Sequence, residues 1–369
     1  MDSNGKASEG FRGVLMMQPT SMEPTLFSAA LLRTSSQGFA SVAAGRVVER
    51  ALEELQLSLP FGEWKAHLYV MTQELAAAVS DASLVQFANK WIWIRDSHSA
   101  REMDPRLLPM ALEELQAVLK DALAPNAWEP LPPYFAAAAQ ALEEHAQAPE
   151  QDSQGELQLG IAQELLLRIR DAKSDEGMDL VVEAVRKQEL SLSDALDQVL
   201  VPCLRRFGSL WYAGEVGVAE EHYATLTLGR LLERLLFIAP RKASNGRSVV
   251  LSTVDGDTHD ITLRITAAHF ELEGWRTLCL GASTPAEDLA GFCVRHQSDL
   301  FILAASLNPQ RHAVTKTLET LRKALPSQKI LIGGGAFEGL ESRAKALGAD
   351  GYCESPQSAI AQARQLFQL

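Results

Sequence analysis

Apolar residues recur at three- and four-residue spacing through roughly the first two thirds of the chain, and the period then changes. Between about 23 and 125 the segments VVERALEELQLSL, EWKAHLYVMTQELAAAV, ASLVQFANKWIWIRDSH and PRLLPMALEELQAVLKDAL each carry an apolar stripe of helical period. Pro60-Phe61-Gly62 and Asp104-Pro105 punctuate them. The proline-rich PNAWEPLPPY predicts a break, an Ala-rich helix follows at about 134–147, and APEQDSQGE reads as a polar linker. Four further helical patterns fill about 156–240: LQLGIAQELLLRIRDA, GMDLVVEAVRKQ, SLSDALDQVLVPCLRRFGSLW and VAEEHYATLTLGRLLERLLF. The third opens on Ser191 and Asp194, a capping-box-like start. Short connections between the four predict an antiparallel bundle.

After Arg247 the runs RSVVLSTV, RTLCLG, DLFILAA, KILIGGG and DGYCE are short, apolar and rich in β-formers. Helical patterns alternate with them, which predicts a doubly wound, five-stranded parallel sheet of Rossmann-like type. The expected fold is thus multidomain α plus α/β. Its expected parts are a disordered tail (1–22), a helical regulatory or sensor domain (23–150), a four-helix bundle (156–240) and the sheet domain (247–369).

Composition narrows the partners. Hydrophobic residues make up 47% and charged residues 22% of the 369 positions, which predicts globular domains with their own cores. No apolar run reaches the roughly 18 residues of a membrane span, and the N-terminus lacks the layout of a signal peptide, so a cytoplasmic location is expected. The net charge of −13 and the want of a basic recognition helix argue against direct DNA binding. Cysteines 203, 279, 293 and 353 have no metal-ligand spacing, and three of them fall in apolar, strand- or helix-like contexts, where a buried thiol is expected.

Candidate chemistry gathers after the first predicted strand, in Val254-Asp-Gly-Asp-Thr-His-Asp260, where such a sheet places its ligand. There is no GxGxxG or GxxxxGK[ST] phosphate loop, and the acidic residues would repel phosphate. Instead the loop offers one imidazole, His259, flanked by Asp257 and Asp260. A carboxylate two residues before a histidine can accept one ring N–H, fix the tautomer and raise the basicity of the other nitrogen. A metal-ligating histidine needs that support; a loop histidine bonded only to its neighbour is the plainer alternative. The third strand ends in Ala304-Ala305-Ser306 and the fourth in Gly333-Gly334-Gly335. Such small residues describe a slot over the sheet edge for a flat, bulky ligand.

Asp257-Thr258-His259, the small residues at 304–306 and Gly333-Gly334 resemble the cobalamin-binding fold, with its pattern of D-x-H-x-x-G, S-x-L and G-G. The resemblance implies cobalamin as cofactor and His259 as the metal ligand below cobalt, in place of the dimethylbenzimidazole base. Thr258, Asp260, Ile261, Ala304, Ser306, Gly333 and Gly334 would surround the cofactor. Thr262 stands where the family has glycine, and the S-x-L serine is Ala304 or shifts to Ser306. Both departures put the shape of the groove for the cofactor's tail in question.

The preceding bundle resembles the cap over the upper cobalamin face in corrinoid methyl carriers and in CarH-type photoreceptors. Trp211 followed by Glu221-His222 matches the W-x9-E-H signature of the CarH-type family. The resemblance implies that Trp211, Val218 and Glu221 pack round the 5′-deoxyadenosyl group of adenosylcobalamin, or another corrinoid form, with His222 near the reacting bond. Spacing agrees: Val218, Glu221, His222 and Thr225 share one helix face. Otherwise Trp211 is ordinary core and Glu221-His222 a solvated pair, although a charged pair on an apolar face is costly without a partner. The family carries a histidine directly after the tryptophan, where this chain has Tyr212. A phenol, with an ordinary pKa of about 10, is a poor ligand for cobalt(III). Water or His222 is the expected upper ligand after illumination.

The first 150 residues loosely resemble helical sensor domains of stress-response regulators. Residues 90–102, KWIWIRDSHSARE, combine two tryptophans, a histidine and two arginines. They predict a helix burying its indoles, or a contact surface, or a second flat chromophore with propionates held by Arg95 or Arg101. Photocobilins, cobalamin photoreceptors without a DNA-binding domain, also hold biliverdin; no cysteine precedes Cys203, so a bilin here would bind noncovalently. The expected function is a non-enzymatic, cobalamin-binding light sensor that acts as a homodimer on an unidentified protein partner. Its rivals are a corrinoid methyl carrier and a cobalamin-sensing antirepressor without photochemistry.

Overall fold

The computed structural model describes residues 23–99, 101–145, 160–240, 242–338 and 340–368. The expected disordered tail and the whole polar linker lie outside the described residues. These fall into two units: one ends at Arg95 and resumes at Pro105–Gln147, and the other takes Asp96–Asp104 with everything after the linker.

The first unit is helical. Helix α1 (Pro24–Leu55) packs on α2 (Phe61–Ser80), and α3 (Leu84–Ser99), α4 (Leu107–Ala122), α5 (Pro125–Trp128) and α6 (Pro132–His145) follow. Helix α1 starts at Pro24 because proline suits the first helical turn, where its missing N–H is not needed. Ala29, Ser36, Ala40, Ala43 and Ala44 lie buried along its inner stripe, and such small side chains let a neighbouring helix approach closely. The proline-rich break is not wholly irregular, since Pro125 opens the single helical turn α5. Trp91 is fully buried, edge-on to Phe87 at 6.2 Å between ring centroids, so this indole of the 90–102 stretch is core. Trp93 is 39% exposed beneath the Lys90 ammonium, 4.1 Å from the ring centroid.

In the second unit α7 (Gly160–Arg170), α8 (Ser174–Arg186), the turn α9 (Leu192–Asp194), α10 (Val201–Tyr212) and α11 (Val218–Ile238) form the predicted bundle. Its third rod is irregular. Residues Ala195–Leu200 are π-helical, and the Val201 N–H reaches back to the Leu196 carbonyl. Pro202 explains this: its nitrogen donates nothing and its ring clashes with the preceding turn, and a π-bulge absorbs the misfit. Ser191 accepts from the Asp194 N–H at 3.0 Å, half of the expected capping box.

The sheet domain runs β1 (Ser248–Val254), α12 (Ile261–Leu272), β2 (Arg276–Thr284), α13 (Ala286–His296), β3 (Leu300–Ala304), α14 (Arg311–Ala324), β4 (Lys329–Gly333), α15 (Glu341–Ala346), β5 (Gly351–Cys353) and α16 (Pro356–Phe367). All pairings are parallel and the order is β2-β1-β3-β4-β5. Every residue of β1 is buried, as a central parallel strand covered on both faces requires. The order reverses between β1 and β3, so their carboxyl ends open the crevice where such sheets bind ligands.

Cap and sheet share a core, because Ile265 and Ala268 of α12 belong to the apolar cluster of the bundle. A buried polar contact pins them, with His269 Nε2 2.7 Å from Asp197 Oδ1 and side chains only 8% and 12% exposed, and Arg264 of α12 also donates to Glu233 of α11 at 2.7 Å. The π-helical stretch carries Asp197 to this contact.

Residues 96–104 end α3 but belong to the second unit. There burial first, and then the Arg101 charge, lower the His98 pKa to about 4. A histidine whose folded pKa lies below the ordinary value is protonated more readily in the unfolded chain. Its stability contribution is therefore complete above about pH 6.5 and is lost as pH falls toward 4. Melting curves from pH 7 down to 4 should show a steeper fall in midpoint for the wild type than for His98→Asn.

Gly334 has φ +98°, and a Cβ there would stand 2.2 Å from the Ala305 carbonyl oxygen. Gly334→Ala is expected to destabilise the sheet domain by about 1–3 kcal/mol or more, measured by denaturant unfolding.

Candidate functional site

The loop after β1 is built round one buried carboxylate. Asp257 is fully buried, and its Oδ1 takes the His259 backbone N–H at 3.0 Å and meets the His259 ring Nδ1 at 2.9 Å. Its Oδ2 accepts the Ser306 N–H, from the loop after β3, at 2.8 Å. Burial alone would raise the Asp257 pKa, but hydrogen bonds from His259 and Ser306 outweigh it and hold the carboxyl below its ordinary value. His259 is raised, first by the hydrogen bond to Asp257, with the charges of Asp257 and Glu221 adding to the push against burial. Because Nδ1 is engaged, Nε2 is the nitrogen left to donate outward, and the side chain is 60% exposed.

Residues that the sequence reading did not single out hold this loop. Thr253 Oγ1 donates to the Asp257 carbonyl at 2.7 Å and accepts the Ser283 N–H at 2.8 Å. Ser283, in a left-handed conformation (φ 49°), bonds the Asp257 carbonyl through its N–H and takes the Gly256 N–H on its hydroxyl. Gln310 Oε1 accepts from both Ser306 and Leu307. A buried threonine at a strand end is the one local signal that could have revealed part of this; Ser283 and Gln310 are brought in by the sheet.

The other predicted residues divide. Thr258 is exposed, Asp260 is half-buried just before α12, and Ile261 opens α12 against the cap core. Ala304 pairs with both Thr253 and Gly333. At the end of β4, packing adds a reason of its own for a small residue. The place of a Gly334 Cβ is taken by the Ala305 carbonyl, Gly335 faces the Ser306 carbonyl, and Gly333 faces Cys353. The backbone thus requires glycine at 334, whereas a Cβ at 333 would meet the Cys353 carbonyl oxygen only at an ordinary 3.4 Å.

Above the loop, Glu221 is half-buried and its Oε1 accepts from Thr225 Oγ1 at 2.8 Å, one turn along the predicted face. His222 is 70% exposed, with Nε2 3.7 Å from Glu221 Oε2, and Val218 is 56% exposed. Trp211 packs against the cap core and lies under the Arg101 guanidinium, 5.4 Å from the ring centroid. The Tyr212 hydroxyl donates to Asp96 Oδ2 at 3.0 Å. Arg101, suggested by the sequence as a propionate anchor, instead bonds carbonyls at the end of α10.

A groove of about 580 Å³ lies beside this site, between α11, α12 and β2, lined by Phe237, Asp260, Arg264, Glu271 and Cys279 among others. His259 and Glu221 are not part of its wall, so it is a neighbour of the candidate site and not its centre. Among the described residues no group of three His, Cys, Asp or Glu side chains could hold a metal ion by itself. A corrin brings its own equatorial nitrogens, and one outward imidazole oriented by a buried carboxylate is the donor that it would need.

Comparison with known proteins agrees. Residues 161–236 and residues 247–361 each match a family described as a B12 binding domain. The chain is 28% identical over 215 residues to a corrinoid protein of Desulfitobacterium hafniense, an alignment that spans 55% of this chain and 97% of that one. It is 32% identical over 166 residues to the HTH-type transcriptional repressor CarA of Myxococcus xanthus, across 45% of this chain and 55% of the repressor. The match thus spans about half the length of that repressor. The solved monomethylamine corrinoid protein of Methanosarcina barkeri has the same fold, with a TM-score of 0.50 and 18% identity over 57% of this chain and 98% of that one. The protein is a cobalamin-binding protein, with a helical cap followed by a Rossmann-like domain.

Asp257 supports His259 from behind, and where a histidine so held ligates a metal, losing the support typically weakens binding 10–100-fold. Asp257→Asn should therefore bind hydroxocobalamin about 10–100-fold more weakly. His259→Ala should lose the histidine-on visible spectrum altogether; an unchanged spectrum would overturn the assignment of His259.

Proposed function

We propose that this protein is a light-responsive cobalamin-binding regulator without catalytic turnover. The carrying observation is the set of cap residues on the His259 side, Glu221 on α11 and Trp211 at the end of α10. The Glu221 carboxylate lies close enough to act on the His259 charge, and Trp211 is held at the end of α10. A carrier that passes methyl groups to partner enzymes needs an open upper face.

In this reading His259 Nε2 would hold the cobalt of a bound cobalamin, and Asp257 fixes its tautomer. Cobalamin supplies a cobalt–carbon bond that light can break. Trp211 offers an indole face to adenine, Glu221 accepts from a ribose diol, and Val218 and His222 border the same space. In this reading Tyr212, whose hydroxyl is bonded to Asp96, stays out of the upper ligand set. The output acts on a protein partner or on a second copy of the chain, since a net charge of −13 disfavours duplex DNA. The D. hafniense relative, named a corrinoid protein and aligned over 97% of its length, supports the rival reading of a corrinoid carrier.

Absorption spectra of the full chain loaded with adenosylcobalamin, before and after green light, test the proposal. The expected result is a lasting change to an aquo-type spectrum without a bis-histidine adduct. A light-insensitive spectrum would overturn photoreception and favour the carrier. Additional absorption in the red from protein purified with its native chromophores would add biliverdin as a second chromophore.

A further inference from the structure

We infer that Asp96 and Arg101, which lie outside both matched domains, are positioning residues for the upper face: they clamp the end of α10 and so fix Trp211. The inference rests on the proposed function and adds the device that sets its upper-ligand preference.

Helix α10 ends at Trp211 and Tyr212, whose carbonyls fall in the last turn, where helical partners thin out; the Trp211 carbonyl still accepts the Gly214 N–H at 3.1 Å. Arg101 fills the gap. One guanidinium nitrogen donates to the Tyr212 carbonyl at 3.2 Å and also to the Ser97 carbonyl at 2.9 Å, and the other donates to the Trp211 carbonyl. A cation is favoured at a helix C-terminus, and the planar guanidinium can reach several acceptors at once. The same group lies over the Trp211 ring. Asp96 adds a second hold five residues earlier in the chain, by accepting the Tyr212 hydroxyl. Backbone and side chains at 211–212 are thus both gripped by residues 96–104.

This grip explains the tyrosine. At this position a histidine would face cobalt in the resembled family. Here the side chain serves as an anchor, and its oxygen is occupied by a carboxylate. The anchor is continuous with α3, which carries the buried Phe87 and Trp91.

The test uses the full chain and three variants, Arg101→Gln, Asp96→Asn and Tyr212→Phe, the last removing a single oxygen. In cobalamin-free protein, hydrogen exchange at residues 209–214 should accelerate in each variant, with folding checked by circular dichroism. In the dark, the preference for adenosylcobalamin over hydroxocobalamin should fall about tenfold, as expected for one lost charge-assisted hydrogen bond, with hydroxocobalamin affinity unchanged. Asp96→Asn and Tyr212→Phe combined should cost no more than either alone. Equal losses for both cobalamins, or wild-type ratios and exchange rates in folded variants, would overturn the clamp. A wild type that binds both forms equally would instead overturn the proposed function at its upper face, while exchange in the cobalamin-free variants still decides whether the clamp exists.

Discussion

A single buried carboxylate organises the ligand end of the sheet. Asp257 joins the loops after β1 and β3, the two strands between which the sheet order reverses, and it orients His259 in the same act. A buried charge is costly unless it is fully hydrogen-bonded. Here three N–H or ring nitrogen partners surround it, and Thr253 and Ser283 fix the Asp257 backbone from the opposite side. The loop cannot relax without leaving that charge unpaired. The outward imidazole is therefore preorganised before any ligand arrives.

Helix α12 carries this rigidity to the cap. It begins directly after the His259 loop and ends near His269, which meets Asp197 on the π-helical stretch. Between these ends, Ile265 and Ala268 are part of the bundle's core. The cap is thus seated by apolar burial and by one nearly dry polar contact. Removing either partner of such a contact would strand the other, so the seat is specific. Pro202 belongs to the same design, since the π-bulge beside it presents Asp197.

At the upper face the chain departs from the resembled pattern in a coherent way. Tyr212 is joined to Asp96, and Arg101 closes the end of α10. These residues come from a segment about 110 positions away, as the separation in the Arg101 contacts records. The substitution of tyrosine for histidine is then one half of a pairing whose other half lies elsewhere in the sequence.

Much of the fold was legible in the sequence by itself. The change of period near Arg247 marks where stacked helices give way to alternating strands, and all five strands form where the apolar runs lie. The Asp257–His259 pairing was also legible, because two residues of separation let a side chain reach its neighbour without help from the rest of the chain. Tertiary structure decided what depends on distant segments meeting. It supplied Ser306 and Ser283 to the Asp257 loop, Asp197 to His269, and Asp96 and Arg101 to the end of α10. It also changed the meaning of Gly334: the sequence pointed to room for a ligand, whereas the Ala305 carbonyl already occupies the place of its missing Cβ. Local periodicity reports which face of an element is buried, and only the packed chain determines what that face is buried against.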